Sequence, residues 1–379
     1  MLGEFLLGDG LYPQVRIKDD GARRGCALVD GEYLHVGLPL GASLPRDMAR
    51  ARCKPAGKQG AIMSDFEPVS GFVLPRFAGI PTFMRLPHVP LDDPRIAQVQ
   101  VGLIGAPWDG GTTNRPGPRH GPRQLRDAST MIRAQHGITG VRPFQALRCA
   151  DLGDVAPNPA DVQDSLRRMT EFYARVRAAG VLPLTAGGDH LCTLPILRAL
   201  AHDRPLGMIH FDSHTDLFHS YFNGQMYTHG TPFRRAVEEG LLDPYRVCMI
   251  GIRGTAYDSE DRDFARAVGI RVIPIEEFHR RSVDDVMAEA RGIAGDGETY
   301  VSYDIDFVDP AFAPGTGTPE VGGPNSWQAL ECARLLAGVR IVGADLVEVS
   351  PPFDPSGGTA YLGASLMFEM LCAIVARYP

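Results

Sequence analysis

Acidic and imidazole side chains recur at three places along this chain, at spacings suited to binding metal ions. They comprise two histidines and four aspartates: His190, Asp212, His214, Asp216, Asp304 and Asp306. Three of them alternate in Asp212-Ser-His-Thr-Asp216, a spacing of two that aims side chains to one side of an extended chain. Clustered acids would repel one another, and two divalent cations would cancel that charge. Oxygen and nitrogen donors without a thiolate favour Mn²⁺, Ni²⁺, Co²⁺ or Fe²⁺ over structural zinc.

A pair of such ions about 3.5–4 Å apart can bridge one water molecule and lower its pKa, which supplies hydroxide at neutral pH. A single Asp-x-Asp or His-x-Asp is usually part of a solvated loop or a helix cap. Three such motifs at predicted strand ends have no comparable structural explanation. The residues therefore predict a dinuclear metal site of a hydrolase.

From residue 99 onward, short apolar runs alternate with amphipathic stretches. The runs are rich in β-branched residues and bounded by Gly, Pro or Asp, as in buried parallel strands. They cover 99–104, 181–186, 206–211, 246–251, 270–275, 299–304 and 340–346. Helices are predicted at 159–179, 191–203, 231–240, 260–268, 281–294, 325–337 and 361–377. This alternation predicts a doubly wound α/β domain, in which ligands bind at the carboxyl ends of the strands.

Composition excludes several classes of protein. The 379 residues carry a net charge of −7, which argues against a nucleic-acid partner. The sequence contains no run of 18 or more apolar residues, so it predicts no membrane-spanning helix. The seven cysteines never form a Cys-x-x-Cys pair, which favours a reducing, cytoplasmic location.

Residues 1–70 lack a sustained hydrophobic periodicity, and we interpret them as an N-terminal extension. Whether it packs on the main domain, packs on a neighbouring subunit or forms a disordered tail stays open.

The motifs resemble those of a known family. Gly187-Gly-Asp-His190, Asp212-Ser-His-Thr-Asp216 and Ser302-Tyr-Asp-Ile-Asp306 are similar to the three signatures of the ureohydrolases, which include arginases, agmatinases and guanidinobutyrases. The stretch 309–323 is also typical of that family. The similarity begins near Leu74, so 71–379 is predicted to be the catalytic domain. Ser213 departs from the usual alanine; we expect its hydroxyl to fill space rather than to bond a ligand carboxylate.

The resemblance implies a three-layer, arginase-like α/β fold, with an eight-stranded parallel sheet and helices on both faces. It implies homo-oligomers, usually trimers or hexamers. One metal ion would be held by His190, Asp212, Asp216 and Asp304, and the other by His214, Asp212, Asp304 and Asp306. Hydroxide would attack the guanidinium carbon of the substrate and release urea with an amine or ammonia.

Two further residues match catalytic positions of the family. Glu348 ends an apolar strand, where a buried acid needs a partner, and it would hold the substrate guanidinium. His229 would pass a proton to the leaving amine. With the ligand Asp216, these are the predicted catalytic residues. Asp189 is expected to orient His190 rather than to bind metal.

The substrate is the least determined property. The loop 217–228 is aromatic and holds no Lys or Arg, so it offers no clamp for a carboxylate. We therefore favour free guanidine, an N-alkylguanidine or a biguanide such as metformin, and the resemblance to guanidine hydrolases adds Ni²⁺ to Mn²⁺ as a candidate metal. The alternative is a guanidinobutyrase, guanidinopropionase or agmatinase. The predicted substrate-binding residues are Glu348, His229, Thr113, Asn114, Tyr221 and Phe222.

Two other classes of protein are alternatives. Deacetylases of related fold normally bind one zinc ion and lack the full set of six ligands. A non-catalytic subunit of a mixed oligomer is the second alternative, but a complete ligand set indicates that this chain would be the active one.

Overall fold

The structure is a computed structural model that describes residues 66–376. Eight parallel strands form one sheet in the order β2-β1-β3-β8-β7-β4-β5-β6. The strands are β1 (Val101–Gly105), β2 (Cys149–Asp154), β3 (Leu182–Ala186), β4 (Leu206–Phe211), β5 (Leu242–Ile252), β6 (Arg271–Pro274), β7 (Thr299–Asp304) and β8 (Ile341–Val347). The predicted eight-stranded α/β fold is confirmed.

Helices cover both faces of the sheet, as predicted. They are α1 (Gly121–Ser129), α2 (Pro143–Ala146), α3 (Val162–Ala178), α4 (Thr193–Leu200), α5 (Pro232–Glu238), α6 (Glu260–Val268), α7 (Ile275–Arg280), α8 (Val283–Ala294), α9 (Ser326–Arg334) and α10 (Gly358–Val375). One hydrophobic core packs α1, α2 and α7–α10 against the sheet, and the other packs α3–α6. Alternate strand residues supply both cores, since Ile209 and Phe211 enter the first and Met208 the second.

Strand β2 and helices α1, α2 and α7 were not predicted. Strand β2 contains two aspartates, so its sequence is not a continuous apolar run and did not predict a buried strand. Its buried Asp151 is compensated from outside the strand, because Arg126 of α1 donates to both carboxylate oxygens at 2.8 and 3.1 Å. The Phe83 amide donates a third hydrogen bond at 2.9 Å. An edge strand can therefore carry a charge in the core when a helix from elsewhere neutralises it.

Helix α10 is long and apolar enough to span a membrane by length and composition, contrary to the sequence expectation. However, 78% of its apolar window is buried within the protein, where it packs on α1 and α9. Such burial is typical of a core helix. The N-terminal extension lies outside the described residues except for 66–70, so its predicted boundary stays a prediction.

Candidate metal centre and active site

The candidate site lies at the carboxyl ends of the four central strands. Strands β3, β8, β7 and β4 are consecutive neighbours in the sheet, so the segments that follow them meet at one edge. His190 follows β3, Asp212–Asp216 follow β4, Asp304 ends β7 and is followed by Asp306, and Glu348 follows β8. The topology thus brings together residues that are up to 158 positions apart.

His190 lies at the centre of the first group of predicted ligands. Its Nδ1 atom is 3.1 Å from Asp212 Oδ2, 3.0 Å from Asp216 Oδ2 and 3.2 Å from Asp304 Oδ2. Donor atoms held about 2.1 Å from one ion at right angles to each other lie about 3.0 Å apart. The spacing therefore matches the first predicted ligand set.

His214 lies in the second group. Its Nδ1 atom is 3.0 Å from Asp306 Oδ2 and 3.4 Å from Asp212 Oδ1. The two oxygens of Asp212 therefore face different imidazoles, which is the arrangement that a bridging carboxylate requires. Asp304 Oδ1 accepts a hydrogen bond from the Asp306 amide at 2.7 Å, which sets the short turn between these two acids.

The charges of this cluster require compensation by cations. Burial lowers the pKa of His190, but the carboxylates of Asp212, Asp216 and Asp304 outweigh burial and raise it well above its usual value. Burial and the neighbouring carboxylates raise the pKa of Asp304 well above normal. In addition, the buried Nδ1 of His190 has no properly directed hydrogen-bond partner. The carboxylate and imidazole donors, together with the unpaired Nδ1 of His190, fit a pair of divalent cations.

The chain after β4 is not extended, contrary to the expectation from the alternating motif. It bends at Ser213 and His214, and Asp216 adopts a left-handed conformation with φ of 55°. Glu348 is also left-handed, with φ of 63°. Such backbone conformations cost about 1–2 kcal/mol in residues other than glycine and are concentrated at functional sites. Bends and left-handed turns, rather than the period of a strand, therefore aim these acids.

Several supporting residues were missed by the sequence analysis. The other ring nitrogen of His190, Nε2, lies 2.8 Å from the hydroxyl of Ser302, which donates to buried Asp345 at 2.7 Å. The buried His210 lies with its Nε2 2.8 Å from Asp212 Oδ2. Hydrogen bonds of this kind orient metal ligands. His210 lies two residues before the ligand Asp212 and Ser302 two residues before Asp304, and that proximity was the available signal.

Two expectations about neighbours of the ligands are corrected. The hydroxyl of Ser213 does not merely fill space, because it donates to Asp306 Oδ1 at 2.8 Å. The carboxylate of Asp189 bonds backbone instead of the His190 ring: it accepts from the amides of Gly111 at 2.6 Å and Leu191 at 3.1 Å. Asp189 therefore joins the loop after β1 to the metal-binding edge. Gly188 allows the close approach of that loop, since a Cβ atom there would lie 1.7 Å from the Trp108 carbonyl oxygen.

Glu348 and His229 form one unit beside the metal ligands. The Oε1 atom of Glu348 accepts from the His190 amide at 3.0 Å and lies 2.8 Å from His229 Nδ1. Its other oxygen, Oε2, is buried without a hydrogen-bond partner. An unpaired buried carboxylate oxygen is costly unless a cation binds it. The geometry therefore suits a cationic ligand such as a guanidinium.

Thr113 contacts the other side of the His229 ring. The Nε2 atom of His229 is 3.1 Å from the Thr113 amide and 2.8 Å from its hydroxyl. Burial lowers the pKa of His229, but Glu348 and other acids outweigh burial and raise the pKa to about 9. A neutral ring can accept from the amide, and a protonated ring can donate to the hydroxyl. Thr113 can thus hold the ring in both states that a proton-transfer residue must adopt.

These residues open into a cavity of about 400 Å³. Of the predicted substrate-binding residues, Glu348, His229, Thr113, Asn114 and Tyr221 line it. Phe222 does not: it is 69% exposed and absent from the wall, because left-handed turns at Phe222 and Asn223 carry its ring away.

The preference for a substrate without a carboxylate rested on the loop 217–228, which holds no Lys or Arg. The cavity wall extends beyond that loop and includes three arginines from other segments: Arg115, Arg253 and Arg262. The sequence analysis did not identify Arg262 of α6. Its position depends on helix packing that the loop sequence does not reveal.

Comparisons with known proteins agree with this geometry. The arginase family matches residues 99–372. A guanidinopropionase of Pseudomonas aeruginosa is 58% identical over 308 residues, covering 81% of this chain and 96% of that protein. A guanidinobutyrase of the same species is 47% identical over 309 residues, covering 81% and 96%. The solved structure of proclavaminate amidino hydrolase from Streptomyces clavuligerus superimposes with a TM-score of 0.76 at 39% identity, covering 80% of this chain and 99% of that one.

Proposed function

This chain belongs to the arginase family of ureohydrolases, and from that premise we propose that it hydrolyses a short ω-guanidino acid to urea and the corresponding amino acid. The general activity follows from the family: the enzyme hydrolyses carbon–nitrogen bonds of guanidino compounds. The observation that carries the proposal is the buried, unpaired Oε2 of Glu348 beside the metal ligands.

Glu348 holds the substrate guanidinium through Oε2, which places its carbon beside the metal-ligand cluster. A pair of divalent cations, held by the six predicted ligands, supplies a nucleophilic water of lowered pKa when bound. His229 carries a proton to the nitrogen of the leaving amine, and Thr113 keeps the ring directed toward the reacting group.

The possible substrates differ in the chemical group at the end opposite the guanidinium. Two relatives at 58% and 47% identity are named for guanidinopropionate and guanidinobutyrate, which both end in a carboxylate. Arginines in the cavity wall can meet such a group, and Glu348 in the same wall can meet the guanidinium. A cavity wall that contains both carboxylates and arginines suits a zwitterion.

A second candidate is a substrate without a charged tail, such as guanidine, an N-alkylguanidine or metformin. The aromatic rings of Phe218, Tyr221 and Tyr257 favour it, because they contact one another edge to face and line the same cavity. This candidate ranks second because the wall also contains arginines.

We further propose Mn²⁺ or Ni²⁺ as the metal, a homo-oligomer such as a trimer or hexamer as the assembly, and the cytoplasm as the location. The structure describes five of the cysteines, and all five are buried and free. Free thiols support a reducing location. Metal analysis and light scattering of the purified protein test the first two points.

The activity is tested by urea release from protein loaded separately with Mn²⁺ and Ni²⁺. The substrate panel is guanidine, N,N-dimethylguanidine, metformin, agmatine, arginine, 4-guanidinobutyrate and 3-guanidinopropionate. We expect the highest kcat/KM with one of the last two. A preference for guanidine or metformin would support the second candidate, and absence of urea from every compound would contradict both.

A further inference from the structure

The three arginines of the cavity wall differ in what already occupies them. The guanidinium of Arg253 donates to backbone carbonyl oxygens, among them those of Asp306 at 2.7 Å and Phe307 at 3.0 Å. The guanidinium carbon of Arg115 lies 3.6 Å from the centre of the Phe353 ring. Arg253 therefore has a structural role, and Arg115 is stacked on an aromatic face.

Arg262 is exposed and unoccupied. It lies in the first turn of α6 and makes no hydrogen bond or ion pair with any residue between 66 and 376. None of the neighbouring acids Glu260, Asp261 and Asp263 forms an ion pair with Arg262 within residues 66–376, and each accepts a hydrogen bond from another residue. Glu260 accepts from the His219 amide at 3.3 Å, Asp261 from the Thr215 hydroxyl at 2.6 Å, and Asp263 from Ser259 at 2.7 Å and Arg266 at 2.8 Å.

The contact between Asp261 and Thr215 holds Arg262 in place relative to the reacting centre. Thr215 lies between the predicted ligands His214 and Asp216, so α6 is tied directly to the metal-binding segment. Both Thr215 and Asp261 are buried, at 2% and 6% exposure. The first turn of α6 therefore cannot move away without disturbing that segment, and Arg262 stays in the wall of the same cavity as Glu348.

We propose that Arg262 determines substrate choice by binding the carboxylate at the far end of the guanidino acid, an inference that rests on the proposed function. Arg262 presents a planar set of donors that matches a carboxylate in a bidentate pair. Glu348 binds the cationic end and Arg262 the anionic end, so only a zwitterion engages both. A substrate without the carboxylate loses the contact with Arg262 but keeps the reacting geometry.

The test compares Arg262→Met and Arg262→Lys with Arg266→Met as the matched control. Arg266 lies one turn further along α6, pairs with Asp263 and is not part of the cavity wall. Each protein is assayed with 3-guanidinopropionate and with N-propylguanidine, which has the same carbon chain without the carboxylate and is measured as a substrate or as a competitive inhibitor.

We expect Arg262→Met to raise KM for 3-guanidinopropionate by about 10- to 100-fold, which is the loss of one charge-assisted contact. The kcat for that substrate and the KM or Ki for N-propylguanidine should change by less than about threefold. Arg262→Lys should recover part of the loss because it keeps the charge without the planar pair. Arg266→Met should behave as the wild type with both compounds.

The outcomes separate this inference from the proposed function. If the wild type releases urea from guanidino acids and Arg262→Met has the same KM for them, Arg262 is not the carboxylate site although the proposed function holds. Equal losses with both compounds would also overturn the inference, since they indicate damage to the site as a whole. If the wild type prefers agmatine, whose tail is cationic, the guanidino-acid function itself fails, and the unpaired Oδ1 of Asp261 becomes the group to test.

Discussion

The Oε1 atom of Glu348 lies 2.8 Å from Nδ1 of His229, although 119 positions separate the two residues in the chain. This contact joins the residue that we propose binds the guanidinium to the residue that we propose moves the proton. It leaves the second carboxylate oxygen of Glu348 buried and free for the substrate. Under the proposed function, one acid would therefore position both the substrate guanidinium and the proton-transfer residue.

Glu348→Gln should keep the metal ions and lose turnover. The amide oxygen can still accept from the His190 amide, so the metal-binding edge is preserved. The negative charge that balances the guanidinium is lost, and we expect kcat/KM to fall by about 100-fold or more. Urea release and metal content are measured on the same preparation. Activity within twofold of the wild type would remove Glu348 from the guanidinium site.

The pH dependence of stability in the metal-free protein should report on His229. Its pKa is raised from the usual 6.5 to about 9, so the stabilisation from its protonated form is complete below pH 6.5 and is lost as the pH rises through about 9. The loss should be at most about 3 kcal/mol. Denaturant unfolding of chelator-treated wild type and His229→Gln is compared between pH 6 and 10. The difference in unfolding free energy should shrink with rising pH; a constant or growing difference would contradict the raised pKa.

Asp304→Asn should lose metal ions without destabilising the metal-free fold. Asp304 Oδ2 lies 3.2 Å from His190 Nδ1, and burial together with Asp306 and Asp212 raises the pKa of Asp304. Removing that charge weakens cation binding but relieves repulsion when no cation is present. Metal content after gel filtration should fall, and activity should drop by about 100-fold or more.

Thermal unfolding provides the control for Asp304→Asn. The melting temperature of the wild type should rise when metal is added, because ligand binding to the folded state stabilises it, and the variant should respond much less. Full metal occupancy together with wild-type turnover would show that Asp304 does not bridge the two ions.

His210 should act on metal affinity through Asp212. His210→Leu removes the donor that lies 2.8 Å from Asp212 Oδ2, and loss of such a contact typically weakens metal binding by about 10- to 100-fold. His210→Gln should retain most of the affinity, because its amide group can replace Nε2 and the Nδ1 atom of His210 has no partner to lose. Competition of each protein with a chelator measures the affinity directly. If His210→Leu, His210→Gln and the wild type bind metal with equal affinity, His210 contributes only to packing.

The sequence predicted the parts of the site that depend on local pattern. Buried strands appear as short apolar runs, and their carboxyl ends are where a parallel sheet binds ligands, so six candidate metal ligands could be proposed without coordinates. Glu348 was identified in the same way, as an acid at the end of an apolar strand. The resemblance supplied the eight-stranded fold, the pairing of ligands and the assignment of His229.

Tertiary structure decided whatever depends on partners distant in the chain. Strand β2 was missed because Asp151 enters the core only when Arg126 neutralises it. Phe222 was assigned to the cavity from loop composition, but its backbone turns the ring outward. Ser213 bonds Asp306 across 93 positions, and Asp261 reaches Thr215 across 46, which brings Arg262 into the wall. Periodicity along one segment indicates which face is buried; it carries no information about which distant segment lies against that face, and only packing determines this.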